Sequence, residues 1–404
     1  MAGPLSGVRV IDLTSMISGP LAALTLADQG ADVIKVEAPG GGDFVRQLAT
    51  RRNGCSASFV NNNRNKRSVI LDLKNEEGLA VFKKLILDAD VVIQNFRPGV
   101  ATRIGIGDEV LRALNPRLIY VSIAGFGFEG PYAQKPVFDP LIQALTGLTT
   151  VQAGSDEVRP RLIRTILPDK LTGIQASQAI TAALFSRERS GEGQHIKISM
   201  LDTIISFMWG SDMGGHTFVG DEIETETAQS FIDLIYETKD GYISVAAMHD
   251  KQWRALSAAL ERPDFLTDPR FITPELREVN KDDRLNLTQD VLITRTTAEL
   301  LEVLESGDVP CAPVLTRTEM RQHPQVEANK IIIEVDHPIA GRLRQSRPPA
   351  QFSGTPTEMR LTAPAYGADT SVILSECGFS DDEIAILLSS GAATQGTVEE
   401  NIND

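Results

Sequence analysis

Cysteine is scarce in this 404-residue chain, and the three present, Cys55, Cys311 and Cys377, lie far apart with no CxxC or metal-ligand spacing. Neither a disulfide framework nor a zinc site is indicated, and a reducing compartment suits such a chain. The five histidines (His195, His216, His249, His323 and His337) show no HxH or HxxxH pattern, so no metal is expected. A GxSxG nucleophile elbow is missing too, which removes the usual context for serine hydrolysis. No apolar run approaches the roughly 20 residues that cross a bilayer. The opening MAGPLSGVRVIDL has no basic segment ahead of an apolar one, so no signal peptide is expected and the protein reads as cytoplasmic. Positive charge is also short: a formal net charge of -15 argues against nucleic acid and anionic membranes as partners.

What is present is a globular composition, 42% hydrophobic and 23% charged, long enough for two domains. In the first half, short β-branched runs at 8–13, 33–37, 68–73, 91–95 and 118–123 alternate with helical periodicity at 20–28 and 76–87. That alternation predicts an α/β fold, a large Rossmann-like domain with a mainly parallel sheet. Small residues at helical spacing from Asp169 to Arg187 predict a closely packed helix, followed by a strand at 195–199. A differently ordered block with a strand at 241–247 and helices near Trp253 and at 297–305 reads as a smaller α+β domain. The chain then turns strand-like at 331–335, passes a Pro-rich stretch at 347–364 and ends with a helix near 381–389. The division expected is 1–205 with 328–404 for the large domain, 225–327 for the small one and 206–224 as linker. The tail from Gly391 to Asp404 is expected to fray.

Three features suggest chemistry. Gly125-Phe-Gly127-Phe-Glu-Gly130 follows the 118–123 strand as a GxGxxG, but a dinucleotide site needs a helix opening inside the motif and an acidic residue about 20 positions on. Pro131 follows directly and the later region is LTTVQAGS, so a tight turn is the better reading and an NAD(P) or flavin oxidoreductase the poorer one. Between Arg46 and Arg103 stand eleven basic residues against five acidic ones. This local reversal reads first as a solvated face. Yet Lys74, Arg97 and Arg103 fall just beyond predicted strand ends, where open α/β sheets bind ligands and arginine suits phosphate. Asp169 follows Leu-Pro and opens a helix; it is placed to cap that helix, and the same place keeps a carboxylate ionised for nucleophilic work.

Several ordered motifs together resemble a family III CoA transferase (the CaiB/BaiF type), the group of formyl-CoA and carnitine CoA transferases. They are Pro4–Thr14, Gly19-Pro20, Gly30–Glu37, Gly42-Asp43, Asn65–Ser68, Leu71–Lys74, Asn95–Gly99, Asn115–Ile119, Gly125-Phe-Gly127, Asp169, Gly191–Gln194, Met200–Asp202 and Val309–Val314. The resemblance spans most of the chain and is densest before residue 203. It implies that Asp169 attacks a donor thioester, giving an aspartyl-acyl anhydride and then an aspartyl-CoA thioester. It implies a CoA site at Ser18, Leu71, Asp72, Leu73, Lys74, Asn95, Phe96, Arg97, Arg103, Asp139 and Met200. No cofactor is implied beyond coenzyme A as substrate and product. The partners implied are an acyl-CoA, a small carboxylic acid with dicarboxylates the first to try, and a second copy of the chain in an interlocked homodimer.

Departures narrow the expectation. Ile17 replaces a glutamine of formyl-CoA transferase and Ala38 a basic residue, which disfavours the oxalate pair. Residues 240–270 hold no run of consecutive glycines to cover an intermediate. An intramolecular CoA transferase acting on one dicarboxylate uses the same chemistry and stays open. An α-methylacyl-CoA racemase would need a histidine before Asp139, where this chain has Phe138. A catalytically dead acyl-CoA-binding module is disfavoured by Asp169.

Overall fold

In this computed structural model, residues 3–223, 232–247 and 249–396 are described. The end of the expected linker, the start of the small domain and the last eight residues of the tail lie outside them. The contacts divide the chain into two units, one of residues up to Gln152, Arg161–Glu222 and from Lys330 onward, the other of Ala153–Pro160 and Ile223–Asn329.

The first unit is built on six parallel strands: β1 (Arg9–Asp12), β2 (Asp32–Glu37), β3 (Lys66–Leu71), β4 (Val91–Gln94), β5 (Ile119–Ala124) and β6 (His195–Ser199). Their spatial order is β3-β2-β1-β4-β5-β6, and a short strand, Ala393–Thr394, adds antiparallel to the outer edge of β3. The tail therefore does not fray from Gly391 as expected. Its first residues complete the edge of the sheet, with Ala392 and Ala393 buried in the core.

Successive strand residues point to opposite faces, and the runs are apolar because both faces are covered. Val10, Val33 and Val91 pack with Ala22, Leu26, Ala176 and Ile180 on one side. Ile11, Ile34, Val69 and Val92 pack with Phe82, Leu85 and Leu111 on the other. The covering helices on the first side are α1 (Ser18–Asp28) and, later in the chain, the 24-residue Leu167–Ser190. On the second side lie α2 (Glu76–Leu87) and the short pair α3 (Val100–Arg103) and α4 (Asp108–Leu114).

Strand β3 starts two residues earlier than the apolar run suggested, at Lys66 rather than Ser68. The reason is charge pairing. Lys66 Nζ lies 2.9 Å from Asp12 Oδ2, and Arg67 Nη2 lies 2.7 Å from Asp32 Oδ2.

The second unit contains a three-stranded antiparallel sheet in the order Cys311–Pro313, Tyr242–Val245, Ile235–Glu237. Helices Asp250–Ala259, Lys281–Leu292 and Thr297–Ser306 contribute Trp253, Leu285 and Leu300 to its core. Among the described residues no helix is long and apolar enough to cross a membrane.

Candidate active site

The strand order reverses direction at β1: the chain builds β2 and β3 on one side of it, then crosses to β4 and β5 on the other. At such a switch point the loops after two neighbouring strands part and leave a crevice at the carboxyl edge. The loops after β1 and β4 do so here. They border a cavity of about 410 Å³ lined by Ser18, Asn95, Arg97, Lys135, Asp169 and Met200 among others.

The loop between β1 and α1 is held rigidly. Asp12 Oδ1 accepts from Thr14 N at 2.9 Å, and Lys35 Nζ donates to Thr14 O at 2.7 Å. The Asn95 amide accepts from Ser15 N at 3.1 Å and donates to Ser15 O at 2.8 Å. Asp43 Oδ1 accepts from Met16 N at 3.1 Å. Met16 has φ 72°, a left-handed conformation that a non-glycine residue adopts only when its surroundings impose it. The result places Ser18 at the first turn of α1, facing Asp169.

Helix α6 (Leu167–Ser190) carries Asp169 in its first turn, behind Pro168, and α5 (Asp139–Leu145) carries Asp139 in its own. Gly173, one turn beyond Asp169, lets α6 meet α1: a Cβ there would lie 2.6 Å from Ser18 O. Gly173→Ala is expected to push the two helices apart and cost about 1–3 kcal/mol, measured by chemical unfolding. A change under about 0.5 kcal/mol would show that the crossing is looser than drawn.

The Asp169 carboxyl is raised from 3.8 to about 6. Burial is the main cause and the nearby Asp139 carboxylate the second, while the Ser18 hydroxyl and N–H pull the other way. Asp139 is itself fixed: Oδ2 accepts from Asp169 N at 3.3 Å and Oδ1 from Gln143 Nε2 at 2.6 Å. Burial raises it too. The pair puts one carboxylate at the cavity wall and a second behind it.

Of the residues singled out from sequence, Ser18, Asn95, Arg97, Asp169 and Met200 share the cavity. The others stand apart from its lining. Leu71 is fully buried in the core, Leu73 and Phe96 pack against that core, and Asp72 Oδ1 caps Lys74 N at 2.9 Å. Asn95 is a clamp on Ser15 as well as a wall residue.

The basic stretch also divides. Arg46, Arg64, Lys66 and Arg67 are structural cations paired with Glu37, Asp28, Asp12 and Asp32. Lys74, Arg97 and Arg103 are exposed, and among the described residues none of the three is ion-paired. They remain available to an anion.

Sequence reading missed Lys135, Val137 and Phe44 in the lining, because nothing in their spacing separates them from ordinary loop residues. It also missed the role of Gly125, where a Cβ would meet Val137 Cγ1 at 2.2 Å. No helix opens at the GxGxxG; the next after β5 begins at Asp139. Ile17 buries with Val45 and Phe59 in a separate cluster.

The chain matches the family model described as CoA-transferase family III over residues 5–370. It is 34% identical over 382 residues to the succinate–glutarate CoA-transferase of Agrobacterium fabrum, which covers 92% of this chain and 95% of that protein. To the acetyl-CoA:oxalate CoA-transferase of Acetobacter aceti it is 33% identical over 358 residues, 87% of this chain and 90% of that protein. Among solved structures, a CAIB/BAIF family protein from Brucella suis aligns with a TM-score of 0.81 at 31% identity, covering 93% of this chain and 100% of that one.

Proposed function

The chain belongs to CoA-transferase family III and is a CoA transferase, and from that premise we propose that Asp169 is the nucleophile through which coenzyme A moves from an acyl-CoA donor to a free carboxylic acid. The observation that carries this reading is the Asp169 carboxylate itself, on the wall of a cavity shared with Ser18 and Arg97.

Attack by an Asp169 oxygen on the donor thioester carbon breaks the C–S bond and releases CoA thiolate, leaving an aspartyl-acyl anhydride. The thiolate then attacks the aspartyl carbonyl, the donor acid leaves, and an aspartyl-CoA thioester results. The acceptor carboxylate displaces CoA to form a second anhydride, and thiolate attack on the acceptor's carbonyl frees the new acyl-CoA and regenerates Asp169. Overall one thioester is broken and one is formed, so neither ATP nor a net proton is required. Binding of the distant nucleotide portion orients the thioester. Lys74, Arg97 and Arg103 supply the charge for its phosphates, and Ser18, Leu71, Asp72, Leu73, Asn95, Phe96, Asp139 and Met200 complete the proposed CoA site.

The relatives' names contain glutarate and oxalate, and a dicarboxylate is the acceptor class we propose. Phe138, exposed beside Asp139 in the cavity wall, carries no exchangeable proton and disfavours racemisation. The interlocked homodimer, the division into a large discontinuous domain and a small one, and a cytoplasmic location belong to the same proposal. Incubation with acyl-CoA and hydroxylamine, followed by peptide mass spectrometry, should place a hydroxamate on Asp169. A hydroxamate on any other residue would remove Asp169 from the nucleophile's role.

Ionised Asp169 is the reactive form, so kcat/KM is expected to fall on acidification through about pH 6, the value to which its carboxyl is raised. Asp139→Asn removes the neighbouring negative charge and should move that limb to lower pH. A limb unmoved in the variant would show that Asp139 does not act on Asp169.

A further inference from the structure

One row of polar side chains has no part in the chemistry above, yet crosses the sheet beside it. Gln94, Ser122 and His195 stand on three neighbouring strands, β4, β5 and β6, with Gln94 directly opposite Ser122 in the register. They share a sheet face with Val92, Leu118 and Tyr120, which belong to the apolar core. Gln94 and Ser122 are 6% and 3% exposed. Buried polar groups on such a face cost desolvation unless fully bonded, and apolar residues of like size would serve packing as well.

The bonds run in one sense. Gln94 Oε1 accepts from Phe96 N at 2.8 Å, and Gln94 Nε2 donates to Ser122 Oγ at 2.8 Å. The Ser122 hydroxyl then has His195 Nε2, 2.9 Å away, as acceptor, and His195 Nδ1 faces Asp108 Oδ2 of α4 at 3.0 Å. This arrangement needs a neutral imidazole with its proton on Nδ1. Burial, with Lys197 and Arg112 nearby, lowers the His195 pKa against the pull of Asp108 and so favours that form. The serine–imidazole–carboxylate order is that of a hydrolytic triad. Here, however, Ser122 is shut inside the core and already accepts from Gln94, which suits holding rather than attack.

What the row holds is the segment after β4. Phe96 N–H is its terminus, and the adjacent Asn95 clamps Ser15 from both sides. We propose that Asp108, His195, Ser122 and Gln94 form a ladder of positioning residues that fixes the Asn95–Arg97 loop in the orientation in which it meets coenzyme A. The inference rests on the assignment of that loop to the CoA site.

Hydrogen exchange of a peptide spanning 94–99, with acyl-CoA and acceptor kinetics, tests it. In Ser122→Ala the peptide should exchange about tenfold faster. The KM for acyl-CoA should rise about fivefold or more, with kcat and the acceptor KM within about twofold. His195→Leu, at the partly exposed end of the ladder, should behave alike and guards against misfolding of the buried variant. Ser122→Thr, which keeps the hydroxyl, should restore both readouts. A role in stability alone would lower Tm and leave the acyl-CoA KM unchanged, which overturns the proposal, as does unaltered exchange in both variants. Absence of CoA binding by the unaltered chain in calorimetry would instead defeat the site assignment, and with it the purpose given to the ladder.

Discussion

Asp169→Ala is expected to lower transfer by about four orders of magnitude while leaving CoA affinity within a few-fold of the unaltered chain. The first part follows because among the described residues no other carboxylate lines the cavity: Asp139 lies outside the lining and its oxygens are engaged by Gln143 Nε2 and Asp169 N. The second follows because Lys74, Arg97 and Arg103 are untouched by the change. The variant should also be more stable at neutral pH. A carboxyl raised from 3.8 in the unfolded chain to about 6 in the folded one penalises the ionised fold. That penalty is absent below pH 4, grows between 4 and 6, and is complete above 6. Calorimetric Tm should therefore exceed that of the unaltered chain at pH 7.5, and the gain should vanish near pH 4. Acyl exchange followed by mass spectrometry decides the main point. Turnover within tenfold of the original would dismiss Asp169 as nucleophile.

Asp12→Ala should be the most damaging single substitution for the fold, at about 3–5 kcal/mol. Asp12, Lys35 and Lys66 are completely buried on three adjacent strands. Lys66 Nζ bonds Asp12 Oδ2, Pro20 O and Asn63 Oδ1, each at 2.9 Å, while Lys35 Nζ lies 3.0 Å from Asp43 Oδ2. Burial alone would raise the Asp12 carboxyl, but the two ammonium groups outweigh it and hold Asp12 at about 2. Removing the carboxylate leaves Lys66 buried without its counter-charge. Lys66→Met in the same chain should recover part of the loss, since the two changes are coupled. Because Asp12 and Glu37 are both held at about 2, the stability they supply is complete above their unfolded values near 4 and is lost as pH falls toward 2. Urea unfolding checks the magnitude, and a loss below about 1 kcal/mol would mean that the network relaxes or admits water. The network also reaches the site, because Lys35 and Lys66 hold the carbonyls of Thr14 and Pro20 on either side of Ser18.

The strands of the parallel sheet could be read from their runs because a strand covered on both faces must be apolar along its length. The order of the family motifs singles out Asp169, because locally an aspartate behind Leu-Pro reads as a helix cap held ionised; the helix instead begins at Leu167, with Asp169 inside its first turn and its carboxyl raised by burial. Lys66 and Arg67 misled, since a charged pair at a strand start looks like loop until Asp12 and Asp32 are seen beside it. The tail misled for a similar reason: Ala393–Thr394 has no strand signal of its own, and its pairing with β3 supplies one. Lys135 and Phe44 could not be singled out, because a cavity wall is assembled from loops that approach only in three dimensions.

By itself, then, the sequence determined the alternation of strands and helices, the family and the place of Asp169 near the head of a helix, since each is written in periodicity or contiguous motif. The tertiary structure decided which cations are ion-paired among the described residues, that burial and then Asp139 raise Asp169, and that Gln94, Ser122 and His195 meet on one sheet face. Those properties depend on distance and desolvation between residues far apart in the chain. No local pattern encodes such distances; they arise only when the sheet closes its register and the helices cover it.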